Sequence, residues 1–194
     1  MANVNSTGAR FAYCRHGGPA SMTFMRIASD DGTATFLYDF LELAATGATG
    51  ARPVQEVVQS TATGAMVGVL QGVDQFTGVS NANFNMYRRH RPASVSMYVH
   101  VITDTTAVFE LQSEAAVALA DIGLNADIVV GTGSTVSGIS ANELGATLDT
   151  TATRPVKVLQ FVDRPDNEIN AADNKVLVLI NNHSYGSHTG TAGV

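Results

Sequence analysis

Val156 to His183 reads VKVLQFVDRPDNEINAADNKVLVLINNH, two apolar runs around a polar, proline-containing connection. Val156, Val158, Leu159, Phe161 and Val162 form the first run, and Val176, Leu177, Val178, Leu179 and Ile180 the second. Both are of strand length and rich in β-branched residues that suit a pleated, packed surface. Between them, Asp163, Arg164, Pro165, Asp166 and Asn167 are turn formers: proline fixes φ, and short polar side chains bond their own backbone. The stretch predicts two neighbouring strands joined by an ordered loop, and hence a β protein.

Upstream, Met22–Ser29 (MTFMRIAS) and Thr33–Leu43 (TATFLYDFLEL) flank Asp30, Asp31 and Gly32, which reads as a hairpin. Val54–Val58 and Ala65–Val73 are two more short strands, with Gly64, Gly68 and Gly72 marking bulges or close backbone approach. Val95–Ile102 alternates strictly, placing Val95, Met97, Val99 and Val101 on one face and Ser96, Tyr98, His100 and Ile102 on the other. Ala126–Val130 is a further strand. One helix is expected over Glu114–Ile122, with Ser113 as N-cap and Gly123 in the left-handed position after it. The resulting fold class is mainly β: an antiparallel barrel or sandwich with one short helix and extended terminal arms. Residues 1–20 read as an extended N-terminal arm. Residues 21–183 read as the β-rich domain, with room for a small subdomain at 21–80, and 184–194 as a C-terminal tail.

The 194 residues are 45% hydrophobic but only 14% charged, against about 25% in ordinary globular chains. Much of the surface is therefore Thr, Ser, Asn, Gly and Ala, which suits a protein packed in an assembly. A small secreted β protein has a similar composition. The formal net charge of −6 argues against nucleic acid as the main partner, because phosphate binding needs a basic footprint. No apolar run of about 18 residues and no signal-like start is visible, so no membrane partner is expected.

Several groups invite a chemical reading. Cys14, the single cysteine, has His16 two residues on, as a Cys/His dyad would, but no third orienting residue is recognisable in the sequence. His16, His90, His100, His183 and His188 stand singly, so a metal site would need convergence in space. Gly131, Gly133, Ser134 and Gly138 lack the Gly-Lys-Ser/Thr ending of a phosphate loop. Asp163, Asp166 and Glu168 around Pro165 fit loop stapling better than paired catalytic acids. No cofactor, no metal and no enzymatic activity is expected. Tyr87, Arg88, Arg89, His90, Arg91 and Pro92 form the densest basic cluster, a solvated loop or a docking patch for acidic surfaces.

The order of Val162 to Asn167 followed by Val176 to His183, with VFELQ at Val108–Gln112 and ADIGLNADIVVGTGSTVSGISANEL from Ala120 to Leu144, resembles the capsid decoration, or cement, proteins of tailed bacteriophages. The likeness covers the C-terminal half well and the N-terminal half, with FAYCRHGG at Phe11–Gly18, in outline. It implies a virion structural protein made in the host bacterial cytoplasm. Such a protein binds the outer surface of the mature head and stabilises it by bridging major-capsid subunits, as a homodimer or homotrimer. The expected capsid contacts are Phe11, Tyr13 and Arg15 in the arm and Arg88, Arg89 and Arg91 in the basic loop. The other reading is a tail, fibre or receptor-binding component that recognises host surface glycans.

Overall fold

The computed structural model describes residues 6–45, 53–74, 89–186 and 190–194. Its strands fall into two antiparallel sheets and a small pair. The six-stranded sheet contains β1 (Arg10–Cys14), β9 (Ala107–Gln112), β10 (Asn125–Val129), β11 (Glu143–Asp149), β12 (Val156–Phe161) and β13 (Lys175–Ile180), in the order β1-β9-β13-β12-β10-β11. The five-stranded sheet contains β2 (Met22–Ile27), β4 (Phe40–Leu43), β5 (Val57–Gln59), β6 (Met66–Val73) and β8 (Met97–Ile102), in the order β2-β8-β6-β4-β5. Two short strands, β3 (Thr35–Phe36) and β7 (His90–Arg91), pair separately. Each large sheet keeps two outer strands, so among the described residues the architecture is a sandwich and not a closed barrel.

The expected C-terminal pair forms: β12 and β13 run antiparallel with Val158 opposite Val178. The connection is stapled by Asn167, whose side-chain amide donates to the carbonyls of Val162 (2.8 Å) and Lys175 (2.7 Å) while its Oδ1 accepts the Lys175 N–H (2.7 Å). Arg164 reaches across to Glu110 at 2.6 Å, and Lys175 pairs with Asp166 at 3.3 Å. Asp166 is thus part of the loop's stapling. In β6 the register shifts on either side, opposite β4 and opposite β8, which puts bulges where the strand's glycines predict them. Gly68 is required there: a Cβ would fall 2.0 Å from the Ile102 carbonyl oxygen.

The core lies between the sheets. Phe40, Met66, Val69 and Ile102 of the smaller sheet meet Phe109, Leu111, Val158 and Val178 of the larger one. Neighbours one residue away point oppositely, as strand geometry demands, so Leu41, Leu70 and Val101 join Met25, Ile27 and Val99 in a second cluster. In β8 only His100 is exposed, on the face where alternation puts it.

Two expectations are corrected. β2 pairs with β8 (Met22 opposite Ile102) and Thr35–Phe36 with His90–Arg91, so the segments flanking Asp30–Gly32 do not form a hairpin with each other. The reason is Arg91, whose guanidinium collects the carbonyls of Ala28, Asp31 (2.8 Å) and Thr33 and holds the connection as a separate loop. The helix at Glu114–Ile122 is absent apart from a 3-10 turn at Leu119–Asp121. Ser113 does not cap a helix but donates its hydroxyl to Asn174, the Glu114 N–H binds the Leu144 carbonyl (2.9 Å), and Val117 is drawn into the core. A nine-residue helix cannot recover its nucleation cost against such tertiary bonds. Part of the N-terminal arm, Arg10–Cys14, is the outer strand β1 of the larger sheet. Residues 190–194 return to the body of the protein: Asn125 Nδ2 donates to the Thr191 carbonyl (2.7 Å) and the Val194 N–H to that of Gly123 (3.2 Å). In the smaller sheet β8 lies between β2 and β6, so that sheet draws on strands from Met22 to Ile102.

Candidate functional site

β1 presents the most distinctive surface. It pairs through one edge with β9, Phe11 opposite Phe109 and Tyr13 opposite Val108, with a register shift between them. Its other edge has no ladder partner among the described residues. The shift lets Phe11 and Tyr13 stand on different faces while both stay accessible, at 37% and 42% exposed. Phe11 meets Phe109 edge to face (ring centroids 6.3 Å), and Phe109 meets Phe40 in the same way at 6.3 Å, so the exposed ring continues a stack that begins in the core. Such pairs contribute about 0.5–1.5 kcal/mol beyond area burial, which fixes the ring before any partner arrives. Arg10 lies over the Tyr38 ring at 5.7 Å, and Arg15 is exposed at the far end, its N–H bonded to the Thr106 carbonyl. Two aromatic rings flanked by two cations on an open strand edge form a recognisable contact surface.

The basic cluster does not act as one patch. Arg88 lies outside the described residues. Arg89 is exposed and packs beside Gly138, where a Cβ would come 2.3 Å from its own. Arg91 is 0% exposed. Besides the three carbonyls named above, its Nε donates to the Val95 carbonyl (2.7 Å) and its Nη1 pairs with Asp31 (3.2 Å). A guanidinium whose donors are all used internally cannot dock on a partner, so Arg91 is removed from the contact set. Gly138 also accepts, through its carbonyl, the Leu37 N–H, and Tyr38 accepts that of Ala9. A continuous run of contacts therefore joins Arg89 to the start of β1.

At the other end of β1, Cys14 and His16 converge on Asp104 in the turn between β8 and β9. The Cys14 thiol donates to Asp104 Oδ2 at 3.6 Å, and His16 Nε2 lies 3.1 Å from the same oxygen. The Gly18 N–H donates to His16 Nδ1 (2.9 Å), which leaves the ring proton on Nε2, facing the carboxylate. The Thr106 N–H (2.8 Å) and hydroxyl (2.7 Å) both donate to Asp104 Oδ1, and the Ser21 N–H to Oδ2 (3.3 Å). The Thr106 hydroxyl first, then its N–H, His16 and Ser21, hold the Asp104 carboxyl well below the usual carboxylate range against the effect of burial. Burial and the neighbouring Asp104 push the Cys14 thiol up, so it remains protonated at neutral pH and is a poor nucleophile.

Asp104 is therefore the third residue that the Cys14/His16 spacing lacks. No local signal marks it: it stands 88 residues from His16 and reaches the cluster through the β1–β9 register, Cys14 opposite Ala107. Sulfur, imidazole nitrogen and carboxylate oxygen all lie within 4.8 Å of one another.

Compared with protein-family models, with curated proteins and with solved structures, the chain finds no match in any of the three.

Proposed function

We propose that this protein is a structural component of a tailed-phage virion that binds the outer surface of the mature head and stabilises it by bridging major-capsid subunits. What carries the proposal is β1, an outer strand whose second edge has no ladder partner among the described residues, with two accessible aromatic rings and two arginines, in a chain only 14% charged. Phe11, Tyr13 and Arg15, with Arg89, are the contact residues. A ring held by the core, as Phe11 is by Phe109, binds with little loss of freedom, and arginine forks suit the carboxylates of a neighbouring subunit. The mechanism is mechanical. One subunit touching two or three capsid subunits makes many modest interfaces act together, and a stable contact buries at least about 1,000 Å². The protein works as a homo-oligomer and performs no catalysis.

The test is co-sedimentation of purified protein with mature heads and with unexpanded procapsids of the source phage, counting bound copies per particle. Saturation on mature heads alone, at a simple ratio to capsid protein, is the expected result. A Phe11→Ser/Tyr13→Ser double variant should bind at least about tenfold more weakly, the loss of two aromatic anchors. Absence of binding to either particle overturns the proposal.

One observation favours the tail or fibre reading. An open, polar groove of about 390 Å³ is lined by Thr63, Asp127, Thr151, Thr153, Arg154 and Asn182. Hydroxyls and fixed charges of this kind suit a sugar. Binding of host glycans without binding to heads would select that reading instead.

A further inference from the structure

Cys14, His16 and Asp104 carry an arrangement that goes beyond contact with a capsid. We propose that Cys14 Sγ, His16 Nε2 and Asp104 Oδ2 are the ligands of a borderline divalent cation, zinc foremost, which clamps the outer strand β1 to the turn between β8 and β9.

The donor set is chemically apt. Thiolate, imidazole and carboxylate together are the ligands of tetrahedral zinc, and three of them leave one position open for water. In such a site, ligand atoms at normal bond lengths stand about 3.3–3.6 Å from one another. Here Asp104 Oδ2 is 3.6 Å from Cys14 Sγ and 3.1 Å from His16 Nε2. The carboxylate is already oriented, because Thr106 occupies Oδ1 through both its N–H and its hydroxyl and leaves Oδ2 to face the other two groups. Outer partners of this kind are what hold metal ligands in place. Thiolate and carboxylate balance the charge of a divalent ion. His16 has 45% of its side chain exposed, which gives the ion a route in from solvent.

A second feature lies within reach of the charge of Asp104. His183 is buried, 6% exposed, and its Nδ1 accepts the Tyr185 N–H (3.1 Å), so the proton is on Nε2, which has no hydrogen-bond partner among the described residues. A water on the cation's open position is an acceptor of the kind that this buried donor lacks.

Loading is a proton exchange. The thiol proton leaves to solvent and the imidazole proton moves from Nε2 to Nδ1. The Gly18 N–H must then turn away from Nδ1, and Gly17, in an exposed turn with φ of 75°, gives it the freedom to do so. The cation would join β1 to residues some 90 positions away, so its consequence is a firmer outer strand.

The test uses the full-length, reduced, metal-free protein titrated with Co²⁺. Expected are a near-ultraviolet thiolate-to-cobalt band and strong visible d–d bands of a four-coordinate ion, saturating at one Co²⁺ per chain and displaced by Zn²⁺. Cys14→Ser should abolish the charge-transfer band. His16→Ala alters an exposed side chain and leaves the fold intact by circular dichroism. It should weaken binding by at least about tenfold, the effect that loss of even an outer partner produces. At equal Zn²⁺ concentration the melting temperature of the unaltered protein should rise by more than that of His16→Ala. No thiolate–cobalt band in the folded protein, or equal binding by His16→Ala, overturns the proposal. Because this is measured on the isolated chain, it stands or falls independently of binding to heads.

Discussion

Two buried charges show how differently the chain treats groups that its sequence presents as equals. Arg91 keeps its charge because four carbonyls and Asp31 meet its donors. Asp39 is less well provided: its carboxylate accepts the Phe36 N–H (2.7 Å) and the Gln59 amide (3.1 Å) at Oδ2 and is helped by the Ser140 side chain, with no cation beside it among the described residues. Burial pushes its carboxyl from 3.8 up to about 6, against those hydrogen bonds. The folded value exceeds the unfolded one, so between about pH 4 and 6 the native state holds a proton that the unfolded chain has lost. The native state is thus favoured at low pH and loses this contribution as pH rises through 6, a change of about 3 kcal/mol. Asp39→Asn cannot ionise. In urea titrations at several pH values, the variant should gain about 2–3 kcal/mol on the parent between pH 4 and 7. A difference independent of pH would show that Asp39 is ionised throughout. Nothing in the sequence separates Arg91 from Arg88 and Arg89, because the distinction arises from the β3–β7 pairing that puts Arg91 opposite the buried Thr35.

Elements governed by local chemistry were legible, and elements governed by distant partners were not. The β12–β13 pair announces itself because its turn formers act on their own backbone. Asn167 is the clearest case, making three hydrogen bonds to Val162 and Lys175 within its own loop. Asn167→Ala should therefore cost about 2–3 kcal/mol, since it leaves partly buried carbonyls and an N–H without partners. Urea unfolding would measure this, and a loss below about 0.5 kcal/mol, typical of a neutral surface change, would mean that the loop holds itself by other contacts. The helix expected at Glu114–Ile122 failed for the opposite reason. Its propensity is real but weak, and Asn174, 61 residues from Ser113, takes the hydroxyl that would have capped it. β11 escaped notice because Glu143–Asp149 alternates poorly and pairs irregularly with β10. The candidate sites divide in the same way: Cys14 and His16 are visible as neighbours, whereas Asp104 becomes their partner only after β1 is laid against β9.

At the scale of the molecule, the order of strands makes the two sheets one folding unit. The chain begins the larger sheet with β1, leaves to build the smaller one from Met22 to Ile102, and returns at Ala107 to finish the first. Phe40, Met66, Val69 and Ile102 bury against the larger sheet, so a chain cut to residues 22–102 would expose four large apolar side chains. Each is worth about 1.5–3 kcal/mol when buried. That sum is comparable to the whole stability of an ordinary domain, about 5–15 kcal/mol. The expected outcome is a single cooperative transition for the full chain, with equal calorimetric and van't Hoff enthalpies and coincident curves from circular dichroism and tyrosine fluorescence. The 22–102 fragment should be unfolded in isolation. Two resolved transitions, or a fragment with native-like circular dichroism, would show that the smaller sheet is held by its second cluster alone. A single transition is also what the ring contacts from β1 to both sheets imply. The Phe11 ring touches Phe109, which in turn touches Phe40 of the smaller sheet, so loosening the outer strand disturbs packing on both sides of the sandwich and a Phe11→Ala change should lower the midpoint of that one transition without splitting it.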